Sequence, residues 1–146
     1  MPQQQRRDPY LNFNFRVDID GVTIAGFSEA DLPAGQIEAV AYREGTDKGS
    51  TARLLPGRVK WDPVVLRRGF TGDPTLFQWW KDVLNGNVAR RNVSIVLLDE
   101  QRNDVARWVV RDAWPQKWDA PDFRALGNDV AIETLELAHE GVELVD

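Results

Sequence analysis

The chain contains no cysteine. Disulfides, zinc–thiolate centres and thiol nucleophiles are therefore excluded. There is a single histidine, His139. Any nucleophile–histidine–acid triad would need that one ring, and a metal site would have to be built from carboxylates. No apolar run approaches the roughly 20 residues of a membrane-spanning helix. The opening "MPQQQRRDP" lacks the apolar core of a secretory signal. Positive charge is not in excess either: the formal net charge is -5. Acids and bases interleave, as in "WVVRDAWPQKWDAPDFR". Nucleic-acid-binding modules carry a basic face, so specific nucleic-acid binding is not expected.

Catalytic signatures are missing as well. Ser28, Ser50 and Ser94 have no G-x-S-x-G context. "GSTARLLPG" has neither the G-K-[ST] of a phosphate loop nor a helical pattern after it. "DID" at 18–20 reads as outward strand positions entering a turn rather than as a cation site. Alternation places Glu133 and Glu136 on opposite faces unless a bulge intervenes. His139 reads as a polar residue at a strand end. No catalytic, metal-binding or cofactor-binding residue is nominated, and no enzyme activity is expected.

What is present is a strand-forming pattern. "LNFNFRVDIDG" alternates, with Leu11, Phe13, Phe15, Val17 and Ile19 on one face and Asn12, Asn14, Arg16 and Asp18 on the other. Asp20-Gly21 is a tight-hairpin signal, with "VTIAGFS" as the returning strand. "QIEAVAYRE" predicts a third strand. "RVKWDPVVLRRG" predicts a fourth, at an edge or bulged because Pro63 cannot donate to a ladder. "DPTLFQWWKDVLNG" predicts a helix over 74–85, with Asp73 capping and Pro74 at its first position. Its apolar stripe is Leu76, Phe77, Trp80, Val83 and Leu84, and Trp79 falls at the margin. "RNVSIVLLDE" and "VARWVVRDAW" form a second hairpin, the first of the two covered on both faces. "PQKWDAPDF" reads as an irregular edge. In "DVAIETLELAHEGVEL" the apolar parity changes between Ile132 and Leu135, which predicts a bulge near Glu133-Thr134. The fold class expected is mostly β: an antiparallel barrel or sandwich of about seven or eight strands with one flanking helix. Residues 1–9 are expected to be a flexible arm and 10–146 one domain.

Two features are not absorbed by a core. Trp108, Trp114 and Trp118 cluster near the second hairpin and fill the interior or an interface between subunits. Residues 43–57 form a connection of about fifteen residues where a hairpin needs two to five. It carries charges at Arg43, Glu44, Lys48 and Arg53, then Leu54, Leu55 and Pro56, and a solvated loop has no use for that leucine pair. The pair is either tucked onto its own domain or covered by a neighbouring chain, and a loop this long favours the neighbour.

The segments "DPYLNFNFRVDIDG", "AGFSE", "YREGTDKGSTARLLPGRVKWDPVVLRRG", "FQWWKDVLNG", "RRNVSIVLLDE", "AWPQKWDAPD" and "NDVAIETLELAHEGVEL" cover residues 8 to 144 in order. Together they resemble the tail-tube proteins of contractile phage tails and phage-derived contractile injection systems, the family with the Hcp-like fold. The resemblance implies hexameric rings stacked into a rigid inner tube. A sheath surrounds the tube, a baseplate and spike terminate it, and cargo occupies the lumen. It implies assembly in the cytoplasm and a place in a phage tail or tail-like particle, and no cofactor. It also implies that residues 43–57 reach the adjacent ring. The glycines, charges and leucine pair of that stretch predict that it becomes ordered on stacking, and the lack of catalytic signatures predicts that His139→Ala leaves assembly largely intact. Two other readings remain open. One is a tube-initiating baseplate protein of the same fold; the other is a ligand-binding β module with exposed tryptophans.

Overall fold

The computed structural model describes residues 9, 14–24, 26–45, 52–123, 125–127 and 130–145. Leu11, Phe13, Lys48, Ser50 and nearly all of the N-terminal arm lie outside them. Strand β1 (Phe15–Ile19) turns at Asp20 and Gly21, both at positive φ, and returns as β2 (Val22–Ile24). Two left-handed residues in a row make the type I′ turn that matches strand twist. The returning strand is shorter than predicted. Gly26, at φ +87, redirects the chain, and β3 (Phe27–Asp31) joins a different part of the sheet. Then come β4 (Gly35–Tyr42), β5 (Arg53–Trp61), β6 (Val64–Gly69), helix α1 (Thr75–Leu84) and β7 (Arg91–Leu98). The chain continues through β8 (Asp104–Asp119), β9 (Ile132–Ala138) and β10 (Val142–Val145).

The body is an eight-stranded antiparallel sheet in the order β2-β1-β7-β8-β9-β6-β3, with β10 paired to β8. β8 makes the architecture possible. Its first part lies between β7 and β10, and its second part pairs with β9. Three register shifts fall along it, one between Asp104 and Ala106, one beside Asp112 at φ +51 and one between Pro115 and Lys117, and the last two lie at the bend where it passes from β7 to β9. The irregular edge expected at "PQKWD" is thus a continuation of one long strand, because the bulge accommodates Pro115 without a ladder donor. The bend folds the two halves of the sheet over one core of Val17, Ile19, Val93, Ile95 and Val110 against Val64, Leu66, Leu135 and Leu137.

Three further expectations are corrected. Pro63 does not sit inside an edge strand. It follows the end of β5, and β6 runs between β9 and β3 in the body. No bulge occurs at Glu133-Thr134: β9 pairs with β6 in unbroken register from Ile132 to Leu137. Val130 lies before the strand, so the inward parity is simply Glu133, Leu135 and Leu137, all fully buried. Glu133 is tolerated there because Arg68 donates Nε–H to it at 2.9 Å and Trp118 donates its indole N–H at 2.8 Å.

The third correction concerns the helix. Its buried residues are Leu76 and Trp79, whereas Phe77 and Leu84 are exposed and Trp80 and Val83 half-buried. Trp79, expected at the margin, donates its indole N–H to the Ala89 carbonyl at 2.9 Å and lies under the Arg91 guanidinium, 5.1 Å from the ring centre. Asp73 receives the Thr75 backbone N–H and hydroxyl, which hold its carboxyl below the usual carboxylate range. Trp79→Ala is expected to cost about 3–5 kcal/mol, and Phe77→Ala much less, in urea unfolding monitored by circular dichroism. Equal losses for the two would show that the helix docks by the other face.

Candidate functional site

β4 and β5 form a sheet of their own. They pack against each other and against no other described element to a comparable extent. Every residue of β4 is exposed, as is all of β5 up to Trp61. The connection that the sequence suggested over 43–57 is therefore shorter. Arg53, Leu54, Leu55 and Pro56 already belong to a strand, Arg43 and Glu44 follow the end of β4, and Lys48 is outside the described residues. The element is a ribbon-like arm rather than a loop.

The two faces of the arm differ. Cross-strand partners share a face. The pairs Gly35–Trp61, Ile37–Val59, Ala39–Pro56 and Ala41–Leu54 make one face with no charged group. Gln36–Lys60, Val40–Leu55 and Tyr42–Arg53 make the other, mixed face. The register shifts by one residue between Ile37 and Ala39. Strict alternation from Trp61 and Val59 would bring Leu55 and Arg53 to the first face. The extra residue at Gly57-Arg58 brings Pro56 and Leu54 there instead. Gly57 has no room for a side chain, since a Cβ would lie 2.7 Å from Val40 Cγ2 and 3.1 Å from the Glu38 carbonyl oxygen. The bulge is thus what keeps the face apolar. Ile37, Val59 and Leu54 on it are 59%, 59% and 71% exposed.

Among the described residues the body also has unpaired strand edges. β2 and β3 end the strand path, and β10 has β8 on one side only. Leu144 on β10 is exposed. Exposed apolar residues also occur at Phe123, Leu126 and Val130 before β9. Of the clustered tryptophans, Trp108, Trp114 and Trp118 are each half-buried. Trp118 stacks edge-on against Phe77 at 4.9 Å between ring centres.

Small-molecule chemistry finds little foothold. Among the described residues no group of histidine and acidic side chains could hold a metal ion. An open cleft of about 450 Å³ lies between β3 and β7–β8. Its acids Glu29 and Asp31 are both taken by Arg67, at 2.9 and 3.0 Å, and Asp31 above all holds that guanidinium above its ordinary value. Arg16 likewise bridges Asp104 and Asp18, and it holds the Asp104 carboxyl below its usual range. Asp18, expected at an outward position, is instead buried at 7% exposure, where Arg16 and the Thr23 hydroxyl, which donates to it at 2.7 Å, satisfy its carboxylate. Neither acid of "DID" is arranged for a cation: Asp20 accepts the Asn92 backbone N–H. His139 accepts the Gly141 N–H and bonds to the Asp62 carbonyl, with no acid or hydroxyl bonded to its ring.

A β body with strand edges unpaired among the described residues and an exposed apolar ribbon presents surface suited to contact with other chains. Sequence comparison makes this specific. Residues 11–143 match the T4-like virus tail tube protein gp19 family, and the chain belongs to it. Solved structures agree on the fold. A chain of the anti-feeding prophage cap, the tube terminating cap, superposes with a TM-score of 0.87 at 21% identity, over 99% of this chain and 95% of that one. A chain of the six-fold symmetrised anti-feeding prophage baseplate gives 0.80 at 27% identity, over 96% and 97%. A chain of the sheath–tube complex of an extracellular contractile injection system, PVC, in its extended state gives 0.84 at 24%, over 94% and 91%. Comparison with curated proteins gave no match.

Proposed function

We propose that this chain is the repeating subunit of the inner tube of a contractile injection system or phage tail. In this reading hexameric rings form through the open strand edges and stack through the β4–β5 arm. A sheath surrounds the tube and a baseplate and spike end it, cargo travels in the lumen, and the chain catalyses nothing. The observation that carries the reading is the uncharged face of the arm. A lone two-stranded ribbon is marginal in water, and this one leaves its largest apolar side chains uncovered. A second copy covers the face in a stack and makes the ribbon part of a continuous wall.

The family match and the likeness to a chain of a sheath–tube complex support it. A mechanical role also suits the chemistry. A tube under load needs many repeated contacts and no turnover, and multivalent contact makes such an assembly durable. Negative-stain microscopy of the purified protein is expected to show rings of six-fold symmetry that lengthen into tubes with concentration or with sheath protein. A species that remains monomeric at high concentration, with no rings, would overturn the reading. The tube-initiating alternative is favoured by one observation, the 27% identity to a chain of a baseplate assembly. Copy number per particle separates the two: many rings for a tube subunit, one ring for an initiator.

A further inference from the structure

The base of the arm touches the body beside Asp62. Asp62 closes its base by donating its N–H to the Ala34 carbonyl at 3.1 Å. Trp61 lies across Gly35 so closely that a Cβ there would stand 2.8 Å from the ring. Against this base sits the turn between β9 and β10. His139 Nε2 is 2.9 Å from the Asp62 carbonyl oxygen, and the Gly141 backbone N–H donates to Nδ1 at 3.0 Å. The His139 and Trp61 ring centres are 6.0 Å apart.

The two bonds fix one tautomer. A backbone N–H can only donate, so Nδ1 carries the lone pair. A carbonyl oxygen can only accept, so Nε2 carries the proton. The ring is thus a polar bridge from the β9–β10 turn to the first residue beyond the arm. Neither strand of the arm packs along another described element to a comparable extent, so the contacts at its base bear directly on its direction.

We propose that His139 is the pin that sets the direction in which the β4–β5 arm leaves the body, acting through its Nε2–H on the Asp62 carbonyl. This replaces the sequence expectation that the residue is dispensable. The consequence is one of leverage. At about 3.4 Å per residue the arm reaches roughly 25 Å, so a swing of about 10° at its base displaces the tip by roughly 4 Å. That exceeds what close-packed side chains tolerate at an interface. Gly141, at φ +140, completes the seat: a Cβ there would stand 2.9 Å from an Arg111 guanidinium nitrogen, and Arg111 is paired with Glu143 of β10. Arm and β10 edge are therefore held by the same turn. The inference deepens the reading of the arm as a ring-to-ring connector and rests on it for its functional meaning.

The test uses the absence of native cysteine. Val40→Cys on the arm and Glu100→Cys on the body accept spin labels without competing sites. Labelled chain is diluted into unlabelled chain, and the distance distribution is read by pulsed electron–electron resonance. With His139 intact one narrow distribution is expected. Glutamine places its amide near the Nε2 position and asparagine near Nδ1. His139→Gln is therefore expected to keep the narrow distribution, whereas His139→Asn and His139→Ala broaden it at least twofold, with thermal midpoints of the body within a few degrees of one another. An unchanged distribution in His139→Ala, or equal broadening in the glutamine and asparagine variants, overturns the pin. Tube growth of the same variants separates the two proposals. A broadened arm with tubes of normal length leaves the pin standing and overturns the connector.

Discussion

Glu133→Ala is expected to destabilise the body by about 3–5 kcal/mol, the usual cost of stranding one member of a buried ion pair. The arithmetic is local. The Arg68 side chain is 2% exposed and that of Glu133 fully buried. The Glu133 carboxylate accepts both Arg68 Nε–H and the Trp118 indole N–H. Removing it leaves a guanidinium in the interior with the partly exposed Asp73 as its one carboxylate partner among the described residues, and it takes the carboxylate acceptor from an indole N–H. The pair ties β6 to β9, while the Arg68 Nη2–H bonds to the Asp73 carbonyl at 2.8 Å and joins both to the entry of α1. Four elements therefore loosen together. Arg68→Met with Glu133→Leu should recover most of the loss, because two apolar side chains of similar volume need no partners. Urea unfolding at one fixed protein concentration is the measurement, since assembly would otherwise add to the apparent stability. A single variant costing less than about 1 kcal/mol would show that the charge is not confined as described.

That pair was partly legible. Arg68 shares parity with Val64 and Leu66, and Glu133 shares it with Leu135 and Leu137. Two opposite charges on core parity of two strands are a signal for a buried ion pair. Val130, which lies before β9, extends the opposite parity, that of Ile132, and so mimics a bulge that hides the pair. β1 and its turn were legible because alternation and Asp-Gly report backbone geometry directly. The helix limits were legible for the same reason. Its buried face was not. Phe77 and Trp79 flank Leu76 on either side at 3.6 residues per turn, so two apolar stripes about 70° apart fit the pattern equally. The choice falls to tertiary partners, the Ala89 carbonyl and Arg91, which no local pattern contains. Pro115 inside β8 escaped for a related reason. A bulge in a long bent strand supplies the one place where its missing donor costs nothing, and that bulge is set by β9.

The arm was legible as an anomaly and illegible as a structure. Leu54-Leu55 drew attention as a unit, yet successive strand residues face opposite ways. The structure splits them: Leu54 joins Ala41 on the uncharged face, and Leu55 joins Val40 on the mixed one. The split yields the sharpest expected difference between neighbouring positions. Leu54→Asp should abolish tubes of more than a few rings while leaving the body folded and rings intact. Covering one leucine is worth roughly 1.5–3 kcal/mol, a buried aspartate without a partner costs more than that again, and every copy in a ring pays it. Leu55→Asp should shorten tubes far less, because its face already carries Lys60 and Arg53 and remains partly wet. Deleting Arg58 provides a third arm of the test without introducing any charge. It removes the extra residue and with it the bulge, and plain alternation from Trp61 then leaves Pro56 and Leu54 on the uncharged face. Tubes should therefore persist, unlike in Leu54→Asp, with the thermal midpoint of the body unchanged, since neither face of the arm belongs to its core. Tube length by negative-stain microscopy, read beside ring content by light scattering, decides the matter. Normal tubes from Leu54→Asp, or equal losses at Leu54 and Leu55, would mean that stacking does not proceed through this face. The bulge at Gly57 would then be a feature of the ribbon alone.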